Sequence, residues 1–129
     1  MTTLTGVKIQ VADVPNRNGR IYPTSLIEKV IKAAGDDKIL GGMGVPDNPM
    51  TACDLSTISH SISNLRIESG WLVGDVTVLG TPQGKVLEQC IDVLDFRMMG
   101  YGSISTSENG TVILDDYVLT AISAVADGA

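Results

Sequence analysis

The sequence predicts an α+β fold, a small mixed or antiparallel β-barrel with two helices packed against it. The predicted elements follow the order β-α-β-β-α-β-β-β, which lacks the regular alternation of a doubly wound parallel sheet. The chain has 14 glycines but only one Phe, one Trp and three Tyr, a composition typical of many short strands joined by glycine turns. No internal repeat or linker divides the 129 residues, so residues 1–129 are predicted to form one domain.

The first strand and the first helix flank a polar turn. Residues 6–14 alternate loosely between apolar and polar side chains and predict a half-buried strand. In the turn that follows, the pair Asn18-Gly19 favours positive backbone angles, and Pro23 favours a helix start. Apolar residues then recur at helical spacing over residues 26–34, and Gly35 is the predicted C-cap.

Ser25 and Glu28 have the spacing of a capping box, so Ser25 is predicted to cap the first helix. Residues 41–49 contain three glycines and two prolines and predict a loop. Only Asp47 and Asn48 in this loop carry polar groups suited to chemistry.

The second half of the chain is mainly β. Residues 57–67 and 71–79 predict a hairpin closed by a turn at residues 68–70. Thr81 and Pro82 predict the N-cap and first position of a second helix. The apolar stripe of that helix, and the strands and turn that follow, are predicted at these positions: Val86, Leu87, Cys90, Ile91 and Leu94 for the stripe; residues 96–106, 111–114 and 117–125 for the strands; residues 108–110 for the turn.

Composition restricts the classes of partner. The net charge is −6, and no Lys/Arg cluster is present, which argues against nucleic acid as the main partner. No apolar run reaches membrane-spanning length and no leader pattern is present, so a soluble intracellular protein is expected. Cys53 and Cys90 could pair or remain free, and one His with two scattered Cys disfavours a structural zinc site. No metal and no cofactor are expected.

Few side chains are candidates for chemistry. His60, the only histidine, could serve as a general base, although a strand histidine that is either exposed or hydrogen-bonded within the sheet is the favoured interpretation. Ser103 and Ser105 lie in a Gly/Ser-rich strand, where small residues more often permit close approach of another element. Asp115-Asp116 predicts a solvated bend. Arg17 and Arg20 are predicted to pin neighbouring loops, or to face another molecule.

The turn at residues 16–23, with the helix after it, resembles the N-terminal region of the tailed-phage prohead (capsid maturation) serine proteases, which share the herpesvirus assemblin-type fold. The resemblance continues in order over nearly the whole chain. The further matching segments are the Gly-rich loop at 41–46, Ile58-Ser59-His60, the hairpin strand at 70–76, Leu79-Gly80-Thr81-Pro82-Gln83-Gly84-Lys85, residues 99–105 and residues 117–125.

The departures from the family fall on its catalytic positions. Val45 stands where the family has its loop histidine, the base. In the family's Gly-x-Ser-Ser-Arg-Gly strand, Gly102 replaces the first serine and Ile104 the arginine, or the match is shifted by one residue. Removing one member of a catalytic triad costs several orders of magnitude in rate. The resemblance therefore implies a protease-like scaffold without its chemistry, with no catalytic residues.

This implies a non-catalytic virion structural protein, namely a capsid decoration, cement or minor head protein. Its expected partners are the major capsid protein or other head proteins and further copies of itself, and its expected location is the capsid, after assembly in the host cytoplasm. Arg17, Arg20 and Tyr22 are the candidate partner-binding or structural residues. The alternative is an active maturation protease, with Ser103 and His60 as a substitute pair. A third class is a scaffold or core protein that leaves before maturation.

Overall fold

The computed structural model describes residues 2–44 and 56–126. Nine strands and two helices alternate irregularly along this part of the chain. The strands are β1 (Thr3–Val11), β2 (Arg20–Ile21), β3 (Ile39–Gly41), β4 (His60–Glu68), β5 (Trp71–Val78), β6 (Asp95–Tyr101), β7 (Ile104–Ser107), β8 (Gly110–Ile113) and β9 (Val118–Val125). The helices are α1 (Thr24–Ala34) and α2 (Pro82–Cys90), and a 3₁₀ turn at Ile91–Val93 follows α2.

The strands form three sheets. A four-stranded sheet has the order β1-β5-β4-β3, a three-stranded sheet has the order β2-β8-β7, and β6 pairs with β9. All pairs are antiparallel except β2 with β8. The α+β class is confirmed, but the predicted barrel is wrong, because the strands within the described ranges do not close on one another.

A large hydrophobic core joins the sheets and helices. Apolar residues of β1, β4, β5, β6, β9 and both helices contribute to it. Its largest fully buried apolar side chains are Ile9, Leu26, Ile27, Ile62, Leu72, Leu87 and Ile122. Branched aliphatic residues therefore dominate the core, as a chain with few aromatic residues requires.

Helix α1 begins differently from the prediction. Its N-cap is Pro23, which makes no side-chain cap, and Ser25 lies inside the helix. The carboxylate of Asp13 accepts instead from the Thr24 amide at 2.8 Å and from the Thr24 hydroxyl at 2.6 Å. The predicted capping box is thus replaced by a cap from an earlier loop, whereas the predicted Gly35 C-cap is confirmed.

Helix α2 and the hairpin before it largely agree with the prediction from the sequence. Thr81 caps α2 by accepting from the Gly84 amide, and Pro82 occupies the first turn. Glu68 pairs with Trp71 across the β4–β5 turn, so Ser69-Gly70 forms a two-residue connection with both φ angles positive. Val86, however, is 50% exposed, and Ile91 and Leu94 lie beyond the end of α2, so the predicted stripe is wrong at these three positions.

The strand predicted at residues 96–106 is two strands. β6 ends at Tyr101 and pairs with β9, whereas β7 begins at Ile104 and pairs with β8. Gly102 and Ser103 form the corner between them. The prediction also lacked β2 and β3, which are only two and three residues long. Neither helix in the described ranges is long and apolar enough to cross a bilayer.

Candidate functional site

The turn after β1 places Arg20 against the second sheet. The side-chain oxygen of Asn16 accepts from the amides of Asn18 and Arg20, at 3.0 and 3.1 Å. Gly19 has a φ of 73°, but Asn18 does not share the positive angle, so the expectation for that pair is half correct. Arg20 then pairs with Thr111 in the parallel β2–β8 ladder. The local turn chemistry therefore fixes the position of an arginine.

A cleft of about 500 Å³ lies beside this arginine. Arg20 and Tyr22 contribute from the chain around β2, Arg97 and Gly102 from β6 and the corner after it, and Tyr117 from the position just before β9. We call this the Arg20–Arg97 cleft. Its volume is within the range of ligand sites in proteins. Two predicted candidates, Arg20 and Tyr22, thus line one concave surface, together with the position where the family's first serine is expected.

Two tyrosines form part of the cleft wall. The Tyr22 and Tyr117 rings meet edge to face, with their centroids 5.8 Å apart. The nearby charge of Arg20 favours the ionised form of the Tyr22 phenol, which opposes the effect of burial on its pKa. Burial raises the pKa of both phenols, and for Tyr117 the proximity of Tyr22 raises the pKa further. Both phenols therefore stay protonated and add no negative charge to the cleft.

The two glycines of this strand end permit Tyr117 to approach. A Cβ atom on Gly100 would lie 2.6 Å from the Tyr117 hydroxyl, and one on Gly102 would lie 2.8 Å from the Tyr117 Cα. These distances leave no room for a side chain. The interpretation of the small residues as sites of close approach therefore applies here. It also means that a serine at position 102 does not fit without displacing the Tyr117 backbone.

Ser103 is held by an aspartate. Its amide donates to one Asp116 oxygen at 2.9 Å, and its hydroxyl donates to the other at 2.6 Å. These hydrogen bonds lower the pKa of Asp116. The bend at Asp115-Asp116 lies where the sequence predicted it, but its carboxylates have partners, since Asp115 pairs with Lys29 at 2.7 Å. The contact between Ser103 and Asp116 holds the corner between β6 and β7 against the turn before β9.

His60 lies in the core and is fully buried. Its Nε2 is 2.6 Å from the carbonyl oxygen of Ile122, and its Nδ1 is 2.8 Å from the Ser59 hydroxyl. Because a carbonyl can only accept, Nε2 carries the proton, and Nδ1 of the neutral ring accepts from Ser59. Burial lowers the pKa of the imidazole. The Phe96 ring meets it edge to face, with centroids 5.0 Å apart.

The structure does not bring Ser103 and His60, the candidate nucleophile and base, into contact. Both ring nitrogens of His60 have partners inside the core, whereas Ser103 is exposed and bonded to Asp116. Arg17 is exposed and does not line the cleft. The sequence prediction also missed Arg97 and Tyr117. An arginine between Phe96 and Met98 in an apolar strand was a signal for the first, whereas Tyr117 is brought to the cleft by long-range pairing alone.

Other sequence candidates lie outside the described residues, namely Val45, Asp47, Asn48 and Cys53. The possible pairing of Cys53 with Cys90 is therefore untested. Among residues 2–44 and 56–126, no group of three or more His, Cys, Asp or Glu side chains is placed to hold a metal ion.

The chain has a prohead-protease-like fold. A solved structure of the bacteriophage T4 capsid assembly protease, gp21, superposes on it with a TM-score of 0.80. The match covers 97% of this chain and 91% of that chain, at 20% sequence identity. No family model matches the sequence, and no curated protein matches it. At this identity the likeness establishes the fold and leaves the activity open.

Proposed function

We propose that this protein is a non-catalytic structural component of a phage head, a decoration, cement or minor head protein that binds capsid protein. The T4 neighbour assists capsid assembly as a protease, and a scaffold that keeps such a fold without its chemistry acts by binding. The proposed location is the capsid, assembled in the host cytoplasm, and the proposed partners are the major capsid protein, other head proteins and further copies of this chain.

The separation of the two candidate catalytic side chains carries this proposal. A serine nucleophile needs a base within hydrogen-bond reach. The Ser103 hydroxyl donates to Asp116, and the His60 nitrogens bond Ser59 and Ile122. The lack of space for a side chain at Gly102 adds support from the position that the family resemblance marks.

The alternative function is a maturation protease that cleaves capsid and scaffold proteins. One observation favours it, namely the 2.8 Å contact between a serine hydroxyl and the neutral imidazole of His60. That contact has the chemistry of a nucleophile and its base. Both Ser59 and His60 are fully buried, however, so a substrate carbonyl has no access to the pair in this conformation.

Two measurements on the native system test the proposal. We expect on the order of hundreds of copies of the chain per purified mature virion, the stoichiometry of a shell component. We also expect that the purified chain does not cleave procapsid proteins. Abundance in procapsids with absence from mature virions would indicate instead a scaffold or core protein that leaves before maturation.

Cleavage, if it occurs, is assigned with matched variants. Ser103→Ala and Ser59→Ala each remove one hydroxyl, and His60→Gln removes the base while keeping a donor for the Ile122 carbonyl. Cleavage that any of these variants abolishes, with the fold retained by circular dichroism, would refute the non-catalytic proposal. Ser105→Ala is the control, since Ser105 is an exposed serine of the neighbouring strand β7.

A further inference from the structure

A second concave surface lies between helix α1 and the start of strand β9. It encloses about 330 Å³, a volume within the range of ligand sites in proteins. Its lining comes from the second half of α1, from the connection to β3 and from the first residues of β9. Of its described lining residues, only Tyr117 also lines the Arg20–Arg97 cleft, so the two surfaces are separate. We call this second surface the α1–β9 groove.

The walls of the α1–β9 groove are mostly apolar. Ala33 and Ala34 contribute only methyl groups from α1, and such small side chains leave the hollow open. Val118 on the facing strand is 44% exposed. An aliphatic chain that lies in the groove would therefore remove apolar surface from water on both sides.

The two charged side chains of the lining are not equivalent. Lys29 donates to the Asp115 carboxylate at 2.7 Å, and this contact balances its charge. Asp37 also lines the groove, but no cation in the described part of the chain forms an ion pair with its carboxylate. Lys32 and Lys38 are near Asp37 in sequence but do not line the groove. The uncompensated charge of the lining is therefore negative.

The end of helix α1 adds partial negative charge at the same place. The last residue of α1, Ala34, forms part of the groove wall. The Asp37 amide donates to the Ala34 carbonyl at 2.9 Å, which holds this aspartate close to the end of the helix. The C-terminal end of a helix favours cations because of its dipole. The net charge of −6 on the whole chain also favours a basic partner.

The apolar surface continues beyond the groove. Leu114 is 39% exposed, and its carbonyl accepts from the Tyr117 amide at 3.2 Å, so it lies in the turn that leads to the groove. Leu114 and Val118 therefore present exposed apolar side chains on either side of Tyr117. A protein that places one side chain in the groove can cover both of them, whereas a small free cation leaves them in water.

From this arrangement we propose that the α1–β9 groove binds a lysine side chain of a partner protein. The methylene stem lies against Ala33, Ala34 and Val118, and the ammonium group lies beside the Asp37 carboxylate and the end of α1. Lysine side chains commonly bury the stem in this way while the charged head stays near water. This deepens the proposed function by naming the chemistry of the partner, and it rests on that function only for the identity of the partner.

The test is a titration of the full ¹⁵N-labelled chain with a blocked peptide, followed by amide chemical shifts. The probe is acetyl-Thr-Val-Lys-Val-Thr-amide. Its matched control carries norleucine in place of lysine, which keeps the aliphatic stem but lacks the ammonium group. We expect shifts confined to residues 33–39 and 117–119. We also expect the lysine peptide to bind about three- to fivefold more tightly than the norleucine peptide, with a smaller difference at high salt.

Variants of the chain locate the contact. Asp37→Asn should remove most of the preference for lysine while leaving the affinity for the norleucine peptide unchanged. Glu108→Gln removes the same charge from an exposed turn elsewhere and should leave both affinities unchanged. Ala33→Leu fills the groove with a good helix former, so it should weaken both peptides by at least about fivefold, with the helix content retained in circular dichroism.

Four results would overturn the proposal: equal affinity of the two peptides at low salt, an unchanged preference in Asp37→Asn, unchanged binding in Ala33→Leu, or shifts centred on the Arg20–Arg97 cleft. Binding of 1-aminobutane to the same amides as tightly as the lysine peptide would indicate a site for a free amine and overturn the protein assignment. The outcome is independent of virion counts. Absence of the chain from virions would refute the proposed function and leave peptide binding intact, whereas a peptide that does not bind would leave the copy number unaffected.

Discussion

The pH dependence of stability should report directly on His60. As the only histidine, it is the one side chain in the sequence that ordinarily titrates between the carboxylates and the thiols. Burial lowers the pKa of its imidazole from the ordinary 6.5, while the unfolded chain keeps the ordinary value. Below pH 6.5 the unfolded state therefore binds a proton that the native state does not. The free energy of unfolding should fall as the pH falls through that region.

The magnitude is limited by one proton. A single proton bound only by the unfolded state changes the free energy of unfolding by at most about 1.4 kcal/mol per pH unit. The free energy of unfolding depends on the titration of His60 between pH 6.5 and the lowered pKa of the folded state. Above pH 6.5 this dependence disappears. The contributions of the aspartates are separate. Hydrogen bonds to Asp13 and Asp116 lower the pKa of each below 3.8, so the stability they supply is lost only in more acidic solution.

Urea unfolding followed by the fluorescence of Trp71, the single tryptophan, measures this effect. Between about pH 7.5 and about pH 5.5 the wild-type chain should lose up to about 1.4 kcal/mol. His60→Gln is the matched variant, because its amide can still donate to the Ile122 carbonyl although it no longer titrates. It should be less stable than the wild type at neutral pH but nearly independent of pH in this window.

Two results would refute this reasoning. A wild-type stability that is constant over the window would mean that the imidazole is accessible to solvent and ordinary in its pKa. An equal slope in His60→Gln would assign the titration to another group. His60→Ala is unsuitable for the measurement, since a cavity and an unpaired buried carbonyl at Ile122 would cost about 3–5 kcal/mol at every pH.

Three further predictions concern the hydrogen bonds and close packing that stabilise the turns near the cleft. Asp13→Ala removes the acceptor for Thr24 at the start of α1 and should lower the free energy of unfolding by about 1 kcal/mol in urea, while Asp13→Asn should lower it less. Gly102→Ser should cost about 1–3 kcal/mol, because its Cβ would lie 2.8 Å from the Tyr117 Cα, and it should create no proteolytic activity in a procapsid assay. Asp116→Asn should lower the midpoint of thermal unfolding, because the amide and the hydroxyl of Ser103 lose a charged acceptor, and an unchanged midpoint would contradict this structural role.

The elements predicted correctly are those whose signals are local. The Ser69-Gly70 turn supplies two positive φ angles, and Thr81 with Pro82 supplies a hydroxyl cap and a fixed φ at the start of α2. Helix α1 presents its apolar residues at the helical period, and it ends at Gly35 as predicted. In each case a few adjacent residues determine the backbone without help from the rest of the chain.

The elements that were missed depend on distant partners. β2 is two residues long and exists because Arg20 and Ile21 pair with β8, some ninety positions later. The cap of α1 comes from Asp13 because the turn brings that carboxylate back to Thr24, which outcompetes the local Ser25 pattern. The barrel was wrong for a related reason: strand count and alternation are visible in the sequence, but the partner of each strand edge is not.

The candidate site was predicted in part for the same reason. Arg20 and Tyr22 belong to an unusual local motif, so the sequence drew attention to them, but their role depends on Arg97 and Tyr117, which long-range pairing supplies. The packing of Tyr117 connects the glycine at position 102 with the shape of the cleft. A side chain at position 102 is excluded by Tyr117, and Tyr117 in that position forms part of the cleft wall. A chain with a serine at 102 would have to move Tyr117 and open that wall, so a nucleophile at this position and the present cleft are structural alternatives.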